Sequence, residues 1–385
     1  MLIYLNQAAT SYPKPKVVID EMVRVLTSIS GNPGRGEASH IRSASTILQE
    51  TRENLKEVFG MSNARKAIFF ENATVALNQA IKGVIWETGD HVITTTFEHN
   101  SVRRPLHVIE QNENIEVTYV NPLKEKDIVK AFQNQMTQRT KAIIMTHACN
   151  VTGDVLPIEK IGRLAKKNNV LFIIDGAQSV GHLPIHMEEY GINMLAFPAH
   201  KSLRGPQGLG VLLVEGDIAL QPIHHGGTGT KSEQIEQPKE WPTGYESGTL
   251  NIPAIAGLRA ALTNHEKFYE ENVSRETFLM EKLKDSLQEI EEIKIYDRLA
   301  NKNIPIIAFN ILDISSHEIA TILETHYNII VRAGIHCNPL CHETYGTLDQ
   351  GMIRVSVNAS NTKEEIQQFL LAIKEIVASY SALSE

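Results

Sequence analysis

The chain reads as an α/β protein, a mostly parallel, doubly wound sheet with a smaller α+β lobe after it. Three observations point there. Short apolar runs alternate with helix-patterned segments through the first two thirds of the sequence, and the texture changes after about Asn251. The length, 385 residues, also exceeds what a single hydrophobic core usually serves.

Seven strand candidates come first: 67–70, 91–95, 115–120, 142–146, 170–174, 194–197 and 209–214. Runs such as Val170-Leu171-Phe172-Ile173-Ile174 carry no polar alternation, the mark of a strand covered on both faces. Between them lie helical patterns at 74–84 (apolar at Val75, Leu77 and Ile81), 124–136 and, behind Pro157, 158–167. Residues 226–248, rich in glycine and broken by proline, read as a long ordered loop. Beyond Asn251 a charged helical stretch runs to about Glu292. Strand candidates 305–312, 329–331 and 352–357 then interleave with helices 317–325 and 363–380.

Composition narrows the function classes. With 42% hydrophobic and 21% charged residues the chain is near the globular average, which leaves little room for long disorder. A net charge of −8 gives no electrostatic reason to expect nucleic acid or an anionic membrane as partner. No apolar stretch approaches the roughly 20 residues of a membrane span. The opening Met1-Leu2-Ile3-Tyr4-Leu5-Asn6 has neither charged nor apolar export region, and Cys149, Cys337 and Cys341 cannot build a disulfide framework. A cytoplasmic, reducing location is expected, so an unusual cysteine is read first as chemistry.

The polar groups that follow the strand candidates carry that chemistry. Asp175 ends the 170–174 run and is followed by Gly176-Ala177-Gln178; Lys201 closes Phe197-Pro198-Ala199-His200-Lys201. Open α/β sheets bind ligands at the carboxyl ends of their strands. A strand-end acid and a nearby lysine are what pyridoxal 5'-phosphate needs, the lysine as Schiff-base partner and the acid to keep the ring nitrogen protonated. Glu71-Asn72-Ala73-Thr74 opens a helix, so its N–H groups and the Thr74 hydroxyl form an anion site for a phosphate. His99 follows another strand and could stack on the ring and shuttle protons. Asn150, in His147-Ala148-Cys149-Asn150-Val151-Thr152-Gly153, follows a fifth.

These residues resemble a family. The ordered set Glu98-His99, Asn150, Asp175-Gly176-Ala177-Gln178, His200-Lys201, Gly248-Thr249 and Arg332-Ala333-Gly334-Ile335-His336-Cys337 is similar to the class V, fold-type I pyridoxal-phosphate enzymes. Within them it resembles the cysteine desulfurases and selenocysteine lyases, in the second of their two groups. The resemblance runs from Tyr4-Leu5-Asn6 to Met352-Ile353-Arg354-Val355-Ser356. It implies a large seven-stranded domain at 21–250, a small domain at 251–385 carrying the cysteine loop, and an N-terminal segment at 1–20 packing with that small domain.

It also implies roles. Lys201 would be the Schiff-base lysine and general base, Asp175 the ring-nitrogen partner, and Gln178 a donor to the ring oxygen. His99 would stack on the ring and hand over protons, while Ala73, Thr74 and His200 would hold the phosphate. Thr249 would reach the phosphate of a neighbouring subunit, so a homodimer is expected. Arg354 would grip the substrate carboxylate, which a guanidinium fork suits better than an amine, with Asn150 serving substrate and cofactor. Cys337 would be the nucleophile that takes the substrate sulfur and passes it to an acceptor protein. Arg332 and His336 are expected to place positive charge beside it.

The reaction implied is L-cysteine to L-alanine with a persulfide on Cys337. A selenocysteine lyase, another C–S lyase, a class V aminotransferase and a non-catalytic sulfur-relay scaffold remain alternatives. Two residues depart from the family pattern near the phosphate, Pro198 where relatives carry a hydroxyl and Ala73 before Thr74. Cys341 and His342 follow Cys337 closely; no metal site is expected, and Cys341 could receive or resolve a persulfide.

Overall fold

Seven strands form one sheet in the order Ala67–Phe70, Gly210–Val214, Met194–Pro198, Leu171–Asp175, Thr140–Thr146, His91–Thr95, Glu116–Val120. Only Gly210–Val214 runs against its neighbours; the other pairings in the series from Met194–Pro198 to Glu116–Val120 are parallel. This is the expected mostly parallel sheet. The computed structural model describes residues 2–29, 39–296 and 303–384. The chain divides into two compact units, one of Lys14–His147 and Pro157–Lys267 and the other of Met1–Pro13, Ala148–Leu156 and Phe268–Glu385.

The sheet lies in the first unit, and its inner strands are buried along most of their length, which is why their sequences lack alternation. Ile68, Ile144, Ile173, Ala196 and Leu212 from the sheet pack with Leu77, Ile81, Val102 and Leu106 from two helices. Truncating a side chain of this kind, for example Leu77→Ala, costs about 2–5 kcal/mol. The helix Ala73–Lys82 presents Ala76, Leu77, Ala80 and Ile81 to that core. Asn72 starts it, its side chain accepting from Val75 N at 3.1 Å. Gly210 is required here: a Cβ would sit 2.2 Å from the Asn72 carbonyl carbon, so only glycine lets this strand pass the helix start.

Among the described residues three long helices exceed the sequence reading, Lys16–Ser28, Ser39–Phe59 and Asn100–Glu113. The last contains Pro105, which removes an N–H from the helix ladder, yet Val102, Leu106 and Ile109 are buried at helical spacing. The expected helix at 124–136 is shorter, Ile128–Gln135, because Asp127 caps it by accepting from Lys130 N at 3.1 Å. Residues Ile252–Gln288 form one long helix.

In the second unit, Ile306–Ile311 pairs antiparallel with both Ile293–Ile295 and Ile353–Ser356. Ile3–Tyr4 pairs parallel with Ile329–Ile330. Leu5, Leu283, Phe309, Leu323, Phe369 and Ile373 are among the side chains of this core. The division between units falls at 13/14 and 267/268 rather than at 20 and 250. Residues Ala148–Leu156 join the second unit through backbone bonding, Ile304 N donating to Gly153 O at 3.0 Å. Among the described residues no helix is long and apolar enough to cross a membrane.

Candidate active site

In the first unit, Asp175 is the last residue of its strand and pairs in register with Ala196, two residues before the strand leading to Lys201 ends at Pro198. Asp175 is 3% exposed, and its Oδ1 accepts from Ala177 N at 2.9 Å. Burial pushes this carboxyl up from its ordinary value, against the Ala177 N–H and the Lys201 charge. Gln178 is also buried. The strand Met194–Pro198 places Pro198 inside the ladder, opposite Gly210, and the chain then turns through Ala199 and His200 to the half-buried Lys201.

Positive charge converges on this turn. Lys14 Nζ donates to His200 O at 2.7 Å. Burial pushes the Lys14 amine down to about 8, with Arg204 adding to it. The His200 imidazole is lowered to about 4 by burial, then by Lys201 and Lys14, so it is neutral and contributes a ring N–H rather than a charge. Three cations around a neutral ring suit a phosphate. The helix start at Ala73–Thr74 adds backbone N–H groups that have no acceptor within the helix.

The Thr74 hydroxyl is not spent on capping, because Asn72 does that. It pairs with Ser101 Oγ at 2.8 Å, and Ser101 Oγ lies 3.0 Å from His99 Nδ1. His99 in turn caps the helix Asn100–Glu113, its Nδ1 accepting from Ser101 N at 3.0 Å. An Nδ1 that accepts from a backbone N–H places the proton of a neutral ring on Nε2. His99 is thereby fixed in tautomer and direction.

In the second unit, Arg354 is 3% exposed on the strand Ile353–Ser356. Its Nη1 donates to Asn150 O at 2.7 Å and its Nη2 to Asn6 Oδ1 at 3.3 Å. Nε is buried with no hydrogen-bond partner, and no carboxylate pairs with this guanidinium among the described residues. Burial and then the Arg332 charge lower its pKa from the ordinary guanidinium value. A cation buried without an anion is costly, and a carboxylate at Nε would relieve that cost.

Cys337 is exposed, and both it and His336 adopt left-handed backbone, φ 56° and 52°. Such conformations cost about 1–3 kcal/mol each in a non-glycine residue and need surrounding structure to hold them. Asn150 Nδ2 donates to His336 O at 2.8 Å. Residues Pro339–Tyr345, left unassigned by the sequence, form a short helix capped by Asn338.

Two expectations are corrected. His336 does not place positive charge beside Cys337: it is 4% exposed, and burial, with Arg354 next, holds its imidazole well below the ordinary value, so it is neutral. Its ring stacks on that of His342, likewise neutral, at a centroid separation of 5.6 Å. Cys341 is poorly placed to receive a persulfide, being fully buried with its sulfur 3.7 Å from that of Cys149. Burial and that neighbouring sulfur push its thiol well up. Among the described residues no cluster of three potential metal ligands occurs.

Thr249 is exposed and follows Gly248 at φ 95° on the loop after the turn Thr243–Tyr245. Sequence reasoning missed Lys14, Ser101, Arg204 and Asn338. Only Ser101 left a signal, its hydroxyl two residues past His99 at a helix start.

A sheet with a lysine and a buried acid at adjacent strand ends, with a separate unit carrying a thiol and an arginine, defines a class. The class-V aminotransferase family model matches residues 3–369, and the chain belongs to that family. A protein named "Probable cysteine desulfurase" from Methanothermobacter thermautotrophicus is 31% identical, over 97% of this chain and 94% of its own. One of the same name from Borreliella burgdorferi is 30% identical, over 99% and 93%. The solved apo structure of cysteine desulfurase from Thermococcus onnurineus NA1 matches with TM-score 0.91 at 26% identity, over 98% of this chain and 95% of that one. The fold is therefore the fold-type I arrangement, as the resemblance implied.

Proposed function

We propose that this chain is a pyridoxal-phosphate-dependent cysteine desulfurase that converts L-cysteine to L-alanine and keeps the sulfur as a persulfide on Cys337. One observation carries the reading: Asn150 joins a buried guanidinium with no carboxylate partner among the described residues, Arg354, to the loop of an exposed thiol, Cys337. An amino-acid carboxylate suits the first, and a substrate whose sulfur is to be taken suits the second. An aminotransferase has no use for the thiol.

Pyridoxal phosphate, when bound, supplies an aldehyde for an amine and a cationic ring that draws electrons from the substrate's α-carbon. The strand-end residues fit it: a dry carboxylate for the ring nitrogen, a lysine acting on that carboxylate, and a cationic turn with a helix start for the phosphate. Lys201 Nζ would hold the group and take the α-proton. Asp175 would bond the ring N–H, Gln178 the ring oxygen, and Ala73, Thr74 and His200 the phosphate. Lys14 and Arg204 add charge there.

Arg354 would bind the substrate carboxylate, and Asn150, whose amide is engaged with His336 O, would serve by holding Arg354. Cys337 Sγ would then form a bond to the substrate's sulfur while the substrate's C–S bond breaks. The carbon fragment takes a proton at its β-carbon, from His99 Nε2 in this reading, regains the α-proton from Lys201 Nζ, and leaves as alanine. The exposure of Cys337 suits transfer of the persulfide to an acceptor protein. Thr249, exposed beyond Gly248, would complete the phosphate site of a second copy, which makes the enzyme a homodimer. Three free cysteines suit the cytoplasm.

The test is product analysis with L-cysteine and a thiol reductant. Alanine and sulfide should appear in equal amounts. Alanine from L-selenocysteine but none from L-cysteine would replace this reading with a selenocysteine lyase.

A further inference from the structure

The loop that carries Cys337 is tied down by a side chain to which the chemistry above assigns nothing. Asn338 is fully buried. Its Nδ2 donates to Asn150 Oδ1 at 3.0 Å, and its Oδ1 accepts from Cys341 N at 3.4 Å. We propose that Asn338 is a positioning residue for the desulfuration step, clamping the Cys337 loop to the hub that holds Arg354. The inference rests on the desulfurase reading and deepens it.

The hydrogen bonds admit one orientation of each amide. The carbonyl of His336 can only accept, so the Asn150 atom bonding it is Nδ2. Asn150 Oδ1 is then left to accept, and Asn338 must offer it Nδ2. Asn338 Oδ1 is thereby turned to the Cys341 N–H, which can only donate. Flipping either amide sets donor against donor or acceptor against acceptor. Two backbone groups therefore fix the whole chain from His336 O to Cys341 N.

The clamp acts where the backbone is strained. Cys337, left-handed, lies between the two points where Asn150 takes hold, the carbonyl of the equally left-handed His336 and the Asn338 side chain. Asn338 N also donates to Ile335 O at 2.9 Å, closing the turn. The backbone carbonyl of the same Asn150 receives Arg354 Nη1. One residue thus sets both the grip on the substrate carboxylate and the place of the thiol. A nucleophile displaced by about 1 Å loses on the order of 100-fold in rate.

A plainer role for Asn338 is capping the helix Pro339–Tyr345, and serine separates the two. Serine keeps a cap acceptor but is too short to reach Asn150, whereas alanine loses both. Asn338→Ser and Asn338→Ala should each lower kcat for alanine formation by about 100-fold, with KM changed by less than about threefold, because the step and not the carboxylate grip is disturbed. In the cofactor-free protein, amide hydrogen exchange in the segment 334–341 should rise in both variants. If Asn338→Ser matches the wild type in kcat and in exchange, the residue is only a cap and the inference is overturned, whether or not Asn338→Ala folds. If the wild type makes no alanine from L-cysteine, the function reading fails, while the exchange comparison still decides whether the clamp exists.

Discussion

Asp175, His200 and Lys201 take their places from backbone register, whereas the Cys337 loop and the guanidinium of Arg354 are held by side-chain bonds between distant segments. The first group stands at the ends of two paired strands whose fully buried interiors set the geometry. The second depends on Asn150, which meets Asn338 from 188 positions away and Arg354 from 204. A site built on strand ends tolerates exchange of its neighbours, since the sheet holds it. A site built on one amide hub fails when the hub or either arm is removed.

Substitutions can separate the two regions. The largest effect belongs to the strand ends. Lys201→Ala should remove the visible absorbance of the holoprotein and lower turnover by about 10⁴-fold, read by spectrum and alanine assay. Arg354→Lys should leave the absorbance intact and lower kcat/KM for L-cysteine roughly 30- to 100-fold, since an amine cannot replace the fork that a carboxylate would meet. An unchanged kcat/KM would show that the carboxylate binds elsewhere.

Lys14 supplies a pH test of the cationic turn. Its folded pKa is depressed to about 8, so it is charged below that pH and loses its charge as pH rises through it. Inorganic phosphate should bind the cofactor-free protein about fivefold more weakly above that pH, the worth of ~1 kcal/mol for one lost charge. Lys14→Met should flatten the step in a calorimetric titration; a step that persists unchanged would assign it to another group. The smallest effect on turnover belongs to Cys341→Ala. Persulfide transfer should stay within about twofold of wild type while stability falls on the order of 1 kcal/mol, measured by chemical denaturation. A large loss of transfer would restore a chemical role to the buried thiol.

The same contrast explains what could be read from the chain alone. Burial on both faces writes itself into residues 170–174 as an unbroken apolar run, so Asp175 announced a strand end. The helix Asn100–Glu113 was hidden by Pro105 despite its buried stripe. At Cys337 the motif was legible and its electrostatics were not. Proximity in sequence suggested charge on His336, but burial against His342 and Arg354 keeps that ring neutral. Asn338 could not be singled out, because its meaning lies in a partner far along the chain. Lys14 and Arg204 likewise gain their part only when the turn at His200 brings them together.

The sulfur itself offers the sharpest test. The holoprotein is mixed with L-cysteine without reductant or acceptor, digested, and the peptide containing Cys337 is weighed. One added sulfur atom on that peptide, absent from those of Cys149 and Cys341 and absent in Cys337→Ala together with alanine formation, is the expected result. Full alanine formation by Cys337→Ala, with no added mass on any cysteine, would contradict it.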